Sequence, residues 1–574
     1  MAHYPGTALC ALAILVALPA AAQVPSFGSP GGIGDPGSAQ RALPQLTPGA
    51  PIGPPPLRLP DLPPTPNTEA PFLSSGPRVF VREVRIDGNT VLPDEVLGEI
   101  AKPFLDRSLS TGDLEELRRR LTLAYVERGY INSGAMLPDQ EVRDGVVTYR
   151  MVEGRLAQIQ IEGTGRLDER YVRNRLAQGA GPPLNVERLQ QRLQILLQDP
   201  LIERMNVDLQ PGLLPGEATL QAVVTRAEPV SAYATVANNQ APNVGSIRGE
   251  IGTTVRNLTG WGDALALRYG RSDGVDDGEA SFTLPVTYHD TLLSARYERN
   301  GAAVVSEALR DLDIRSTVET IGVGVSQPIY RTPQRNLGVG LAFEHRRSET
   351  TLLGEPFSFT PGTVDGKATV SVLRFTQDFA DRTADDALVM RSTFSFGLDV
   401  LGATVTPQKP NGQFATWLGQ AQYVRQFERE IQLVFRGDAQ LSRDPLFPIE
   451  QIAIGGLGTV RGYRENELVR DNGLILSAEA RMPVLRFAVD ALPQQARDNV
   501  VRVAPFADWG RGWNKGEPTP TPRTIASVGI GFLWDVGDVA TAQLYYGRAL
   551  RHIHQPDHDL QDEGIHFRVT TRLW

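Results

Sequence analysis

A nine-residue segment, Gly455–Tyr463, combines closely spaced glycines with a single arginine, Arg461. Its glycines, Gly455, Gly456 and Gly458, allow backbone angles and close approaches that other residues cannot reach. An arginine in such a setting usually binds a carboxylate, because its planar guanidinium can form two parallel hydrogen bonds with it. The alternative is a flexible surface loop with a solvated arginine, and the nonapeptide alone leaves both interpretations open.

These glycines do not form a nucleotide site. In the G-x-G-x-x-G spacing counted from Gly456, Arg461 stands where the third glycine is needed, and no lysine follows as a P-loop requires. The chain carries a net charge of −9, which argues against nucleic acid as a partner. We therefore predict no cofactor and no nucleic-acid partner.

Two other segments carry groups that can bind metal ions. Residues 551–559 contain three histidines and two aspartates, which could form a metal site but also suit an external polar loop. Asp273–Gly278 resembles part of a calcium loop, but it lacks the full spacing and the closing glutamate. The chain contains no H-E-x-x-H motif. The sequence therefore predicts neither a metal centre nor an enzyme.

The N-terminus has the features of a secretory signal peptide, residues 1–22. Leu9–Leu18 is apolar, and Ala20–Ala22 offers a cleavage site of small residues. Cys10, the one cysteine of the chain, lies inside the apolar segment, so the exported form would contain no disulfide. Residues 23–77 are rich in proline and glycine and are typical of an extended linker, with at most a short helix.

Between the linker and residue 228, the elements repeat. A strand over Val79–Ile86 is followed by two helices and two strands, and Ala157–Gly163 begins the same order again. This β-α-α-β-β repeat predicts two α+β domains, 78–154 and 155–228, related by internal duplication. The alternative is one α+β domain with a chance internal similarity.

Residues 229–574 lose the helical period and consist of alternating apolar and polar segments. Short connections such as Tyr288–Asp290 alternate with long ones such as 347–366. Counting the segments gives about sixteen strands, and an even number with this alternation is typical of an antiparallel outer-membrane β-barrel. The predicted fold is therefore a 16-stranded membrane β-barrel preceded by two α+β domains. The alternative is a soluble β-sandwich or a series of tandem β-domains.

Side chains within the predicted strands fit a closed barrel, which leaves no unpaired edge in lipid. Aromatic residues that suit the two membrane interfaces are Trp417, Tyr423, Trp534, Tyr545, Tyr546, Phe567 and Trp574. Arginines that suit a polar lumen are Arg268, Arg374, Arg391, Arg436 and Arg502.

The arginine of the opening segment lies in a long external connection of this barrel, residues 443–472. A connection that folds into the lumen would bring Arg461 towards Asp508, an acidic residue inside a later strand. Charges in a narrow, partly desolvated lumen are screened less than charges at a surface. Because desolvation opposes their attraction, we predict that the pair fixes the position of the loop, and we claim no net stability from it.

These residues resemble motifs of a known family, the TpsB transporters of two-partner secretion. This is the haemolysin-activator (ShlB-FhaC-HecB) type within the superfamily of the barrel-assembly factor BamA. The similar residues are the VRGY signature of the inward-folded sixth loop, Val460, Arg461, Gly462 and Tyr463, and the F-x-D-x-G strand motif, Phe506, Asp508 and Gly510. The two α+β domains resemble the paired POTRA domains of the family.

The resemblance implies a Gram-negative outer-membrane protein whose POTRA domains lie in the periplasm. It implies that a large, β-rich TpsA-type exoprotein is exported through the barrel without nucleotide hydrolysis. The POTRA domains would bind the incoming chain, and the VRGY loop would gate or organise the pore. The implied surroundings are outer-membrane lipid, and the implied state is a monomer.

Two other functions are compatible with parts of this pattern. A factor that inserts other barrels into the outer membrane would share both motifs, although such factors usually carry more POTRA domains. A passive porin would account for the barrel but not for the paired α+β domains. Members of the resembled family also commonly place an N-terminal helix in the pore, whereas residues 23–77 offer little helix.

Overall fold

The computed structural model describes residues 57–58 and 78–573, apart from 308, 408, 490–496 and 556–557. The predicted signal peptide, the predicted linker except for residues 57–58, and Trp574 lie outside the described residues. None of the helices in the described part of the chain is long and apolar enough to cross a membrane.

The first α+β unit contains two helices and a three-stranded sheet. Its elements are β1 (Val79–Val81), β2 (Glu83–Asp87), α1 (Asp94–Ala101), β3 (Arg107–Leu109), α2 (Thr111–Val126), β4 (Gly134–Met136) and β5 (Val146–Val152). Strands β2, β5 and β4 form the sheet, and β1 pairs with β3 in a separate ribbon. The continuous strand predicted over Val79–Ile86 is wrong. The N–H groups of Arg82 and Glu83 both donate to the Gly145 carbonyl, at 2.8 and 3.2 Å, so the chain changes sheets there.

Helix α2 begins at a capping box formed by Ser110 and Asp113. The Ser110 hydroxyl accepts from the Asp113 N–H at 3.2 Å, and the Asp113 carboxylate accepts from the Ser110 N–H at 2.8 Å. These bonds satisfy donors that a helix N-terminus otherwise leaves free. The backbone bond from Ser110 also holds the pKa of Asp113 below its usual range. Leu117, Leu121 and Tyr125 follow on the buried face of the helix.

The second unit repeats this architecture next to the barrel. Its elements are β6 (Arg155–Glu162), α3 (Glu169–Ala177), α4 (Val186–Leu196), β7 (Ile202–Pro211) and β8 (Glu217–Arg226). Strand β8 lies between β6 and β7, and the short strand Leu57–Arg58 pairs in parallel with the outer edge of β7. Leucines of α3 and α4 pack onto the sheet in one core.

The remaining chain closes into an antiparallel barrel of sixteen strands, which confirms the predicted fold class. The strands are β9 (Val230–Ala237), β10 (Arg248–Arg256), β11 (Ala264–Arg271), β12 (Val275–Pro285), β13 (Leu292–Ala303), β14 (Arg315–Arg331), β15 (Arg335–Leu352), β16 (Lys367–Arg382), β17 (Asp386–Leu398), β18 (Ala415–Gln426), β19 (Gln432–Ser442), β20 (Asn472–Ala488), β21 (Asp498–Trp513), β22 (Thr524–Val536), β23 (Ala540–Ala549) and β24 (Ile565–Arg572). Strand β24 pairs with β9 and closes the ring.

Side chains alternate between the two faces of the barrel wall. The five arginines assigned to the lumen each form an ion pair with a carboxylate. The assignment of Tyr545 to an interface girdle is wrong. Tyr545 is 4% exposed and lies on the inner face, because its neighbour Tyr546, at 53% exposure, takes the outer face.

The second α+β unit contacts the periplasmic turns of the barrel through α3. Arg175 Nε donates to Asp290 Oδ1 at 2.8 Å, and Arg331 Nη1 donates to Asp290 Oδ2 at 2.7 Å. The Arg175 guanidinium also stacks on the Tyr171 ring, 3.6 Å from its centroid. This contact joins a helix of the second unit to the turn between β12 and β13 and to the end of β14.

Candidate functional site

The connection between β19 and β20 folds back into the barrel lumen. Within it, Ile452–Ile454 pairs with Leu468–Arg470 as a short hairpin. The apolar side chains that this hairpin and its tip share with the barrel wall are Ile452, Ile454, Val460, Tyr463, Leu468, Ile475 and Ile525, all buried. We call residues 443–471 the lumen loop.

At the tip of the lumen loop, two of the three predicted supporting glycines stand where a larger residue would be strained or would clash. Gly455 and Gly456 have φ of +123° and +93°, and a Cβ on Gly456 would lie 2.0 Å from the Glu465 carboxyl carbon. The Thr459 hydroxyl accepts from the Gly455 N–H at 2.7 Å and donates to its carbonyl at 2.8 Å. Gly458 has open space around its Cα, and its carbonyl accepts a hydrogen bond from the Arg436 guanidinium.

Arg461 binds Asp508 bidentately, as the sequence predicts. Its Nε donates to Oδ2 at 2.8 Å and its Nη2 to Oδ1 at 2.9 Å. The backbone N–H of Arg461 donates to the same Oδ2 at 3.0 Å. The two residues are 6% and 3% exposed, so the pair lies inside the barrel and not in its mouth.

Three further residues, which belong to neither sequence motif, complete the surroundings of Arg461. Its Nη1 donates to Glu479, and its Nη2 donates to the Ser477 hydroxyl at 3.2 Å. Its guanidinium also lies 4.7 Å from the ring centroid of Tyr545. The only available signal was alternation along β20 and β23, which places these side chains on the inner face once the register is known.

The aromatic member of the strand motif also contacts Arg461. The guanidinium stacks 3.7 Å from the centroid of the Phe506 ring, and that ring meets Tyr545 edge to face at 5.8 Å. Stacking between a cation and an aromatic face stabilises a desolvated arginine. The arginine is therefore held by carboxylates within its plane and by rings beside its faces.

Glycines let the loop backbone touch the barrel wall. A Cβ on Gly462, whose φ is +87°, would lie 2.6 Å from the Gly547 carbonyl oxygen of β23. The Gly462 N–H donates to His566 Nε2 of β24 at 2.9 Å. On β21, a Cβ on Gly510 would lie 2.4 Å from Ile454 Cγ2.

The last residue of the loop motif contacts the wall near the outer mouth. The Tyr463 hydroxyl donates to the Ala526 carbonyl at 3.0 Å and accepts from the Arg551 N–H at 3.1 Å. Together with Arg461 and Gly462, it places the loop motif against β20, β21, β22, β23 and β24, five consecutive strands.

The two candidate metal segments show no metal-binding geometry in the part of the chain that the structure describes. No group of three or more histidine, cysteine, aspartate or glutamate side chains there could hold a metal ion. His558 Nε2 lies 2.8 Å from Glu563 Oε1, and residues 556–557 of this segment lie outside the description.

A closed sixteen-stranded barrel with an external loop folded inside it, preceded by two α+β units, is the architecture of outer-membrane barrels with POTRA domains. The family model for the haemolysin secretion/activation protein ShlB/FhaC/HecB matches residues 216–533, more than half of the chain. A model for the ShlB-type POTRA domain matches residues 79–154. The chain belongs to the ShlB/FhaC/HecB family.

Similar proteins and structures agree with this assignment. The chain is 25% identical over 435 residues to the outer membrane transporter CdiB of Escherichia coli, covering 72% of this chain and 71% of that protein. It is 22% identical to the heme/hemopexin transporter protein HuxB of Haemophilus influenzae, covering 70% and 71%. The solved structure of CdiB from Escherichia coli superposes with a TM-score of 0.65 at 22% identity, covering 92% of this chain and 94% of that chain.

The family and the fold together show the cellular location of the protein. It is an outer-membrane β-barrel of the two-partner secretion type, with its POTRA domains in the periplasm. The family consists of transporters that serve secreted TpsA-type partners.

Proposed function

We propose that this chain exports one large, β-rich exoprotein through its own barrel without nucleotide hydrolysis. The observation that carries the proposal is the lumen loop, which is held inside a closed barrel by the Arg461–Asp508 pair. A loop in this position controls the one route through the barrel. Val460, Arg461, Gly462 and Tyr463 would then gate or organise the pore against Phe506, Asp508 and Gly510.

The periplasmic units would present the partner to this route. An exposed strand edge can bind an extended segment by backbone pairing, without a fixed side-chain sequence. Folding of the partner outside the cell would then bias transport outward, since the segment that has emerged cannot return. We propose domain boundaries at 78–154, 155–228 and 229–574, after a signal peptide of residues 1–22 and the linker.

The single-chain closure of the ring supports action as a monomer surrounded by outer-membrane lipid. A sixteen-stranded barrel is wide enough for an extended polypeptide, provided that the lumen loop moves or adapts. The loop therefore has to be held in the lumen when no partner is present and released during transport. Polar contacts suit this, because they can be exchanged for contacts with another chain.

Depletion of the chain tests the proposal against the insertase alternative. The chain also resembles the fold of BamA from Haemophilus ducreyi lacking POTRA domains 1-3, with a TM-score of 0.52 at 14% identity, over 86% of this chain and 100% of that chain, so the fold alone does not separate the two functions. We expect depletion to remove one large protein from the cell surface and medium while other outer-membrane barrels stay at normal levels. Loss of many barrels would instead show an insertase.

A further inference from the structure

The lumen loop has a second polar attachment, distant from Arg461, at its N-terminal end. Glu450, 4% exposed, accepts from Arg346 Nη1 at 2.7 Å and from Arg374 Nη2 at 2.8 and 3.1 Å. Arg346 Nη1 also donates to the Ile449 carbonyl at 2.5 Å. Both arginines belong to the barrel wall, in β15 and β16.

This attachment lies across the barrel from the loop motif. Strands β15 and β16 are the seventh and eighth of the sixteen-stranded ring, and β23 and β24 are the fifteenth and sixteenth. The loop touches the first pair through Glu450 and the second pair through Gly462. Eight positions in a ring of sixteen separate opposite sides, so the loop bridges the lumen from wall to wall.

The wall around Glu450 is built to hold a carboxylate. Arg374 Nε donates to Glu344 at 2.7 Å and its Nη1 to the Ser395 hydroxyl at 2.8 Å. These two bonds fix the orientation of the guanidinium whose Nη2 binds Glu450. Arg346 is 1% exposed with the loop in place, so its guanidinium is shielded from solvent there. A buried charge left without its partner is strongly unfavourable.

Apolar packing supports the same end of the loop. Leu446, Phe447 and Ile449 of the loop are buried in one cluster with wall and external-loop residues, Val318, Ala368, Val370, Val372 and Phe414. The Glu450 carbonyl also accepts from Gln440 Nε2 at 3.0 Å. The segment before the hairpin is therefore seated on the wall before the chain reaches Arg461.

We infer that Glu450 is a second positioning residue, which holds the lumen loop across the pore through Arg346 and Arg374 independently of Arg461. This inference deepens the proposed function, because it assumes that the loop occupies the export route. Release of Arg461 from Asp508 alone leaves the loop attached to the opposite wall. Opening of the route then requires both attachments to give way.

The test is single-channel recording of the purified full-length chain in planar lipid bilayers, which needs no partner protein. Glu450→Gln keeps the side-chain shape and removes the charge, and we expect about tenfold more time in open states, because a charge-assisted attachment is lost. Asp444→Asn is the matched control, since this loop acid lies 3.8 Å from Lys409 of another external loop and not on a wall arginine. Its recordings should match the wild type.

Two further variants separate positioning from general damage. Glu450→Asp keeps a carboxylate and should lie between Glu450→Gln and the wild type. The double variant Glu450→Gln/Arg461→Ala should open more often than Arg461→Ala. Equal opening of the double and the Arg461→Ala variants, or wild-type recordings for Glu450→Gln, would overturn the inference.

Folding is checked by the heat-dependent gel shift of the barrel. If Glu450→Gln does not fold, Arg346→Gln takes its place, since it leaves Glu450 its pair with Arg374. Failure of both to fold, with Asp444→Asn folding normally, would show a folding role and overturn a role in holding the loop. Normal export with raised opening would support the second attachment and count against the gating role in the proposed function.

Discussion

At the scale of single residues, Arg461 uses the full fork of its side chain. Its Nε, Nη1 and Nη2 each bind a different oxygen atom, on Asp508, Glu479 and Ser477, and its faces meet aromatic rings. A lysine carries the same charge but cannot form the planar bidentate contact. The geometry of the guanidinium is therefore as important as its charge.

Replacement of Arg461 by lysine tests that point. Each charge-assisted hydrogen bond is worth about 1.5–3 kcal/mol, so Arg461→Lys should lower export about as much as Arg461→Ala, with normal amounts of folded barrel. The matched control is Arg464→Lys, three residues on, where Arg464 pairs with Asp562 near the outer mouth. Export is measured as partner protein in the medium. Wild-type export by Arg461→Lys would contradict a requirement for the fork.

Gly462 gives a second test at this scale. Gly462→Ala places a methyl group 2.6 Å from the Gly547 carbonyl oxygen at a φ of +87°, and that left-handed conformation alone costs about 1–2 kcal/mol. We expect a folded barrel with a displaced loop and more frequent channel openings in planar bilayers.

The control for Gly462→Ala lies in the same nonapeptide. A Cβ on Gly458 meets no heavy atom within 4 Å, so Gly458→Ala should behave as the wild type. Equal behaviour of the two variants would show that the close approach to β23 does not hold the loop.

At the scale of elements, helix α3 connects the second periplasmic unit to the barrel. Arg175 and Arg331 share the carboxylate of Asp290, which lies in a periplasmic turn. Under the proposed function the partner reaches the barrel through this unit, and the orientation of α3 then determines where a bound segment is delivered.

Arg175→Ala tests this connection. It removes a charge-assisted bond and the stacking on Tyr171, and we expect faster hydrogen exchange in α3 together with reduced export. Arg173→Ala, on the same helix, is the control, because among the described residues Arg173 forms its ion pair with Glu169 of the same helix and its side chain is 41% exposed. Unchanged exchange in Arg175→Ala would show that the helix is held by other contacts.

The sequence predicts where most helices and strands lie. It does not predict which face of a strand points inward or which distant side chains pair. Period-two alternation predicted the barrel strands, because one side of each strand faces lipid and the other a polar lumen. It did not decide which of Tyr545 and Tyr546 faces inward, since that depends on register. Glu450 was missed because its partners Arg374 and Arg346 lie 76 and 104 residues away in the chain.

At the scale of the whole molecule, the closed barrel encloses a lumen and the loop crosses that lumen. A closed barrel leaves no unpaired strand edge in lipid, and this closure makes the lumen the one internal route. The loop bridges that lumen and binds the wall on both sides. Under the proposed function, the loop has to exchange its wall contacts for contacts with the passing chain.

The most direct test of this account is photo-cross-linking of a partner arrested during export. The photoreactive residue is placed at Gln422, which lies opposite the inward-facing Arg436 in the ladder between β18 and β19. The control is Ala421, the preceding residue of β18, which alternation turns towards lipid. The account predicts a cross-link to the arrested partner from position 422 and none from 421. Cross-linking from 421 alone, or from neither position while the partner protrudes from the cell, would contradict passage through the barrel.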